Sequence, residues 1–200
     1  MSAPRIKICG LSRPCDIDWA NAYRPDYIGF VFANSRRQVR DEQAAALKAR
    51  LSPAIPAVGV FVNDTPEHIL SLRRSGVIDM IQLHGQEDED TIRYLKRRAA
   101  CPIIRAVSVG RENAADFAHS AADYLLLDNG AGGTGQTFDW SLAADIPKPF
   151  FLAGGLNADN VTDGIRYFRP FAVDISGGVE TDGFKDETKI KEMIRRIRHE

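Results

Sequence analysis

The sequence lacks any apolar segment that could cross a membrane. No apolar run approaches the roughly 20 residues needed to span a bilayer, and the first residues do not have the basic and then apolar layout of a signal peptide. We therefore expect a cytoplasmic protein without a membrane partner.

Cysteine is scarce, and neither sign of charge is in excess. The three cysteines, Cys9, Cys15 and Cys101, lack the paired spacing of a zinc site or a disulfide framework, so we expect free thiols and no metal. The 26 basic and 27 acidic side chains nearly cancel and are interspersed along the chain. Such a balance excludes the bulk field that recruits nucleic acid, so any anionic ligand must be bound by local groups.

The composition and the pattern of apolar residues indicate one α/β domain. With 200 residues and 44% hydrophobic content, the chain can bury a sizeable core, and no Gly/Ser-rich or Pro-rich linker divides it, so we assign one domain to 1–200. Short apolar or β-branched runs predict strands at 6–9, 27–32, 57–62, 78–83, 103–107, 124–127, 150–153 and 171–175. Helical patterns separate them at 14–22, 40–51, 66–74, 88–99, 113–121, 157–167 and 185–199, with a short helix at 138–144. Eight alternating units of this kind predict a (β/α)8 TIM barrel rather than an open sheet.

A thiol and a carboxylate stand at two predicted strand ends. In a TIM barrel, the reactive groups come from the carboxyl ends of the strands and the loops that follow them. The first strand ends in Cys9, with Gly10 beside it to permit the close approach of a ligand, and near cations such a thiol could have a lowered pKa and act as base or nucleophile. The sixth strand is followed by Asp128, which could instead be a simple turn or cap residue. Together the two groups suit a proton-transfer reaction.

Glycine clusters follow the last three predicted strands. They are Gly132-Gly133-Thr134-Gly135, Gly154-Gly155 and Ser176-Gly177-Gly178. Any one of them could be a tight turn, but the last two occupy the loops from which these barrels commonly build a phosphate site. The sequence therefore predicts a phosphorylated substrate.

Two further side chains are candidate substrate contacts. Arg37 lies in the loop after the second strand, where a guanidinium could bind a carboxylate through two hydrogen bonds or could simply be a solvated charge. His84 ends the fourth strand and could contact the substrate or serve as a hydrogen-bonded structural histidine.

Five motifs span essentially the whole chain: Lys7-Ile8-Cys9-Gly10, Gln82-Leu83-His84-Gly85, Gly132-Gly133-Thr134-Gly135-Gln136-Thr137-Phe138-Asp139-Trp140, Gly154-Gly155-Leu156 and Asp174-Ile175-Ser176-Gly177-Gly178-Val179-Glu180. In order and spacing, these motifs resemble the phosphoribosylanthranilate isomerase family of tryptophan biosynthesis. The family performs an Amadori rearrangement: a general acid opens the ribose ring to a Schiff base, and a general base then removes the C2′ proton.

The resemblance implies a role for each candidate residue. Cys9 is implied to be the base and Asp128 the acid, Arg37 to meet the anthranilate carboxylate and His84 to line the site. The phosphate is implied to lie on the last two glycine loops, formed by Gly154, Gly155, Ser176, Gly177 and Gly178. No metal, nicotinamide or pyridoxal cofactor is implied, and we expect a monomer or a homodimer.

Two positions depart from the family pattern, and other functions are possible. Gly177 stands where the family usually has a second serine, and Gln136 where it commonly has lysine. One alternative is another phosphosugar barrel, such as an indole-3-glycerol phosphate synthase or the histidine-pathway isomerase, whose motifs fit this chain less well. Another is a phosphate-ligand sensor without turnover, which would need neither Cys9 nor Asp128.

Overall fold

The described part of the chain forms a closed barrel of eight parallel strands. The computed structural model describes residues 3–109, 111–128, 146 and 148–199. Each strand pairs with the next in sequence order, and the first pairs with the eighth, with Lys7 opposite Asp174. This arrangement confirms the predicted (β/α)8 barrel.

All eight predicted strands are present, with small shifts at their ends. The barrel strands are β1 Arg5–Cys9, β2 Tyr27–Val31, β3 Ala57–Phe61, β4 Met80–Leu83, β5 Ile103–Ser108, β6 Tyr124–Asp128, β7 Phe150–Leu152 and β8 Ala172–Ile175. The helices are α1 Pro14–Tyr23, α2 Asp41–Arg50, α3 Pro66–Arg74, α4 Glu89–Ala99, α5 Val161–Phe168 and α6 Glu187–Arg198. A short hairpin of β9 Glu180–Thr181 and β10 Phe184–Lys185 precedes α6.

The alternation of side chains along each strand divides the core into two layers. Ile6 and Ile8 of β1 belong to the large cluster that also contains the apolar faces of the helices. Lys7, between them, points the other way and reaches Gln82 of β4, on a strand that is not its neighbour. Because successive strand residues face opposite sides, Cys9 shares the inward direction of Lys7. The barrel interior therefore carries polar groups above the apolar cluster that includes Leu126 and Phe151.

Two predicted helices differ from the structure. The segment predicted as a helix at 113–121 forms only a 3-10 turn, Ala114–Phe117, in which Ala114 is the one fully buried residue. A segment with so little apolar surface to bury gains little from a longer helix. The helix predicted from residue 157 begins at Val161, because Asn160 Oδ1 accepts from the Asn157 amide and holds this stretch in a turn.

Some predictions concern residues outside the described ranges. These are the cluster Gly132-Gly133-Thr134-Gly135, the motif that continues it to Trp140, and the short helix at 138–144. Within the described ranges, none of the helices has both the length and the apolar character needed to cross a membrane.

Candidate active site

The structure brings every predicted site residue to one pocket at the carboxyl end of the barrel. Six of the eight strands supply residues there, because a closed barrel brings the ends of its strands around one opening. The pocket is lined by all of the predicted residues, namely Cys9, Arg37, His84, Asp128, Gly154, Gly155, Ser176, Gly177 and Gly178. The lining also includes Gln82 and Asp174, which sequence reasoning had not singled out.

Cys9 is a buried thiol at the end of β1. Gly29 lies opposite it on β2, and a Cβ built on Gly29 would approach Cys9 Sγ to 2.6 Å, so glycine leaves room for the sulfur. Burial raises the pKa of the Cys9 thiol, and the neighbouring cations Lys7 and Lys185 only partly oppose this effect. The expectation of a lowered pKa was therefore wrong, because desolvation of the thiolate outweighs the attraction of both cations.

Lys7 is the cation closest to Cys9 along the strand. Its side chain is fully buried, and its Nζ donates to Asp174 Oδ2 at 2.7 Å and to Gln82 Oε1 at 2.8 Å. The attraction of Asp174 helps to raise the pKa of Lys7, although burial alone would lower it. Lys7 thus remains a charged donor beneath the pocket, next to Cys9 on the inward face of β1.

His84 joins the fourth strand to the sixth through hydrogen bonds. Its Nε2 lies 3.2 Å from Asp128 Oδ2, and its Nδ1 lies 3.0 Å from Gln82 Nε2. Asp128 is the last residue of β6 and is largely buried, and its backbone oxygen also accepts from the Val109 amide at 2.8 Å. His84 therefore contacts the proposed acid directly while it also lines the pocket.

The loops after β7 and β8 lie against each other at one side of the pocket. Gly154 and Gly155 have φ values of 80° and 69°, which favour glycine. A Cβ on Gly178 would lie 2.0 Å from the Leu156 oxygen, so only glycine permits this close approach of the two loops. A Cβ on Gly177 would make only an ordinary contact, 3.6 Å from Arg37 Nη2.

The hydroxyl of Ser176 donates its hydrogen bond to another part of the protein. Its Oγ donates to the Cys9 backbone oxygen at 3.0 Å, and Lys185 Nζ lies 3.1 Å from the Ser176 carbonyl oxygen. Ser176 thus ties the loop after β8 to the end of β1. A phosphate at this loop would be bound by other donors.

Glu180 forms ion pairs with three cationic side chains beside the loop that follows β8. Its carboxylate accepts from Arg36 at 2.8 Å, from Lys185 at 2.5 Å and from Arg37. Although burial would raise the pKa of Glu180, the hydrogen bond from Arg37 and the charge of Lys185 lower it. Gly10 was predicted to admit a ligand, but Arg37 occupies that space, since a Cβ on Gly10 would lie 2.5 Å from Arg37 Cδ.

Comparisons with known proteins agree with this arrangement. A family model described as N-(5'phosphoribosyl)anthranilate (PRA) isomerase matches residues 6–196. The chain belongs to the PRA isomerase family. A PRA isomerase of Endomicrobium trichonymphae is 43% identical over 199 residues, which cover 98% of both chains.

Solved PRA isomerase structures have the same fold. The enzyme of Thermus thermophilus superposes with a TM-score of 0.89 at 31% identity, covering 98% of each chain. A PRA isomerase in complex with reduced 1-(o-carboxyphenylamino)-1-deoxyribulose 5-phosphate superposes with a TM-score of 0.84 at 36% identity, covering 98% of this chain and 100% of that one.

Sequence reasoning missed three polar residues of this PRA isomerase family member. Lys7, Gln82 and Asp174 lie inside strands whose other residues are nearly all apolar. A polar side chain in a strand buried on both faces needs a partner, and that requirement was the available signal. What the sequence could not supply was the partner itself, because the three residues lie on three different strands.

Proposed function

We propose that this chain converts N-(5'-phosphoribosyl)anthranilate into 1-(2-carboxyphenylamino)-1-deoxyribulose 5-phosphate in tryptophan biosynthesis. The observation that carries the proposal is the single pocket that combines Cys9, Asp128 and the two glycine loops. Membership of the PRA isomerase family supports the same reaction, since a solved member is described with the reduced product of this reaction.

In the proposed mechanism, Asp128 and Cys9 move the two protons. The Asp128 carboxylic acid delivers a proton to the ribose ring oxygen, the bond from C1′ to that oxygen breaks, and the amine nitrogen forms a Schiff base with C1′. The Cys9 thiolate then takes the C2′ proton, and the electron pair of that bond neutralises the Schiff base to give an enolamine. Tautomerisation of the enolamine yields the ketose product. The raised pKa of Cys9 suits this role, because a more basic thiolate is a stronger proton acceptor once it is formed.

Each polar part of the proposed substrate has a chemically suitable partner in the pocket. The glycine-rich loops after β7 and β8 offer backbone amides to the phosphate, and Arg37 offers its guanidinium to the anthranilate carboxylate. Asp174 Oδ1 is buried and has no hydrogen-bond partner among the residues that the structure describes, although Oδ2 is bound to Lys7. An unsatisfied carboxylate oxygen would repel a phosphate but accept a hydrogen bond from a sugar hydroxyl, which supports a sugar substrate.

The remaining parts of the proposal concern the form of the enzyme. We propose that the catalytic unit is 1–200, that acid and base chemistry suffices without a cofactor, and that the chain acts as a monomer or a homodimer. The three free cysteines suit the cytoplasm, where thiols remain reduced.

The test is turnover of phosphoribosylanthranilate by the purified chain, followed as a loss of anthranilate fluorescence. We expect a fluorescence change that depends on the amount of enzyme, with the rearranged ketose identified by mass spectrometry. Tight binding of the product without turnover would support the sensor alternative. Turnover of another amine-linked phosphosugar, but not of this one, would support a different phosphosugar isomerase.

A further inference from the structure

A continuous set of hydrogen bonds crosses the barrel and includes four residues that line the pocket. Asp174 Oδ2 accepts from Lys7 Nζ, which also donates to Gln82 Oε1 at 2.8 Å. Gln82 Nε2 then lies 3.0 Å from His84 Nδ1, and His84 Nε2 lies 3.2 Å from Asp128 Oδ2. Lys7 and Gln82 are both almost completely buried, so water cannot readily replace either partner.

The chemistry of these groups fixes the direction of every hydrogen bond. A lysine ammonium has three donors and no acceptor, so only the oxygen of the Gln82 amide can face Lys7. The amide NH2 must then face His84, where it needs an acceptor. Consequently Nδ1 of the neutral ring carries no proton and Nε2 carries one, which it donates to Asp128 Oδ2.

We propose that Gln82 is a positioning residue that holds the neutral His84 ring in the tautomer protonated at Nε2, and thereby orients Asp128. This inference rests on the proposed function, because it assigns Asp128 the general-acid role. A His84 ring with the opposite tautomer would present an unprotonated nitrogen to the Asp128 carboxylate, and the hydrogen bond that orients the carboxylate would be lost. Lys7 acts on His84 only through Gln82, because the Lys7 ammonium can only donate and so sets the orientation of the Gln82 amide.

The test reads the tautomer directly in the ligand-free protein. The protein is labelled with 15N in its histidine rings, and the 15N shifts of the neutral rings are recorded by NMR. The chain has four histidines, so a His84→Asn variant assigns the His84 signals by their disappearance. In the unmodified chain we expect a protonated Nε2 and an unprotonated Nδ1.

The decisive variant is Gln82→Glu, which keeps the shape of the side chain but removes the NH2 donor. One carboxylate oxygen would still accept from Lys7, and the other would face His84 Nδ1 as an acceptor. We expect Nδ1 to become protonated in this variant, and in Gln82→Leu we expect a mixture of tautomers. Gln86→Glu is the matched control, because it makes the same change at an exposed position two residues after His84 and should leave the tautomer unchanged.

Kinetics supply a second readout. For Gln82→Glu we expect kcat to fall roughly 10- to 100-fold, the scale on which an outer hydrogen-bond partner acts, while KM changes by less than about threefold. A purely structural role for Gln82 would lower the melting temperature without changing which nitrogen of His84 is protonated.

The possible outcomes separate this inference from the proposed function. An unchanged His84 tautomer in both Gln82 variants would overturn the inference even if the enzyme were active. A changed tautomer in a protein without isomerase activity would leave the positioning role of Gln82 for His84 in place and overturn the proposed reaction instead.

Discussion

Arg37 lies side-on against Glu180, with its Nε 2.6 Å from Oε1 and its Nη2 2.9 Å from Oε2. This pairing uses one edge of the guanidinium. A guanidinium has five N–H donors in a fixed fork, so the edge formed by Nη1 and Nη2 retains donors for a second carboxylate. Arg37 is thus held in place by Glu180 and still has donors suited to a substrate carboxylate.

The pairing leads to a prediction about Arg37 and its neighbour. Arg37→Ala should raise KM for phosphoribosylanthranilate by roughly one to two orders of magnitude, because a charged hydrogen bond contributes about 1.5–3 kcal/mol. Arg36→Ala is the matched control, since Arg36 also binds Glu180 but its side chain is 56% exposed. The KM of each variant is measured by steady-state kinetics. An equal rise in KM in both variants would indicate that both arginines act only by supporting Glu180.

Removal of the Cys9 thiol should abolish most of the turnover. For Cys9→Ala we expect a loss of roughly two to four orders of magnitude in kcat, the usual contribution of a positioned acid or base. Cys101→Ala provides the control, because Cys101 is also buried but does not belong to the predicted site. Full activity of Cys9→Ala, with a melting temperature close to that of the parent, would remove Cys9 from the mechanism.

The raised pKa of Cys9 predicts that its thiolate forms only in the alkaline range. The proposed base is the thiolate, and burial places its formation above the ordinary thiol pKa of 9.0. Because kcat/KM also requires a protonated Asp128, the thiolate itself is followed, and we expect its fraction to keep rising with pH up to and beyond that ordinary value. Alkylation of Cys9 by iodoacetamide, measured by mass spectrometry, should rise over the same range. A plateau well below the ordinary thiol pKa would show that Lys7 and Lys185 outweigh the effect of burial.

Asp128→Asn should separate proton delivery from structure. The amide keeps an oxygen that can accept the hydrogen bond from His84, but it has no carboxylic proton to deliver. We expect kcat to fall by roughly 100-fold or more with little change in the melting temperature. Asp159→Asn makes the same substitution at an exposed position and should keep normal activity. Normal turnover by Asp128→Asn would indicate that Asp128 only ends its strand.

The two glycines after Ser176 should respond differently to serine. Gly177 does not belong to the described glycines with positive φ, and a Cβ there makes only an ordinary contact with Arg37. Gly177→Ser should therefore lower KM by at most about tenfold, with kcat nearly unchanged, because a net hydrogen bond contributes about 0.5–1.5 kcal/mol and the phosphate is remote from the reacting bonds.

Gly178→Ser is the steric counterpart to that variant. Its Cβ would meet the Leu156 oxygen at 2.0 Å, so the loops after β7 and β8 would have to separate. We expect a lower melting temperature and a raised KM. A gain in affinity from Gly178→Ser, or an unchanged KM in Gly177→Ser together with phosphate bound at another place in a crystal, would contradict the assignment of this loop.

Much of the fold was predictable because its signals are local. The apolar runs and the helical patterns located all eight strands, and α3 was predicted with its observed bounds, Pro66–Arg74. The strand ends also located Cys9, Asp128 and His84, since chain order alone brings the carboxyl ends of parallel strands to one face. Where local side-chain hydrogen bonds competed with the helix, as at Asn160, the prediction failed.

The sequence by itself determined which residues reach the mouth of the barrel, and the tertiary structure decided what each of them meets there. Strand periodicity sets the face on which Lys7 lies, but its partner Asp174 is 167 residues away and is selected by the closure of β1 against β8. The closure of the barrel likewise brings Glu180 against Arg37. Burial in the folded protein raises the pKa of Cys9. Hydrogen bonds and desolvation depend on distances between strands, and a one-dimensional pattern does not contain those distances.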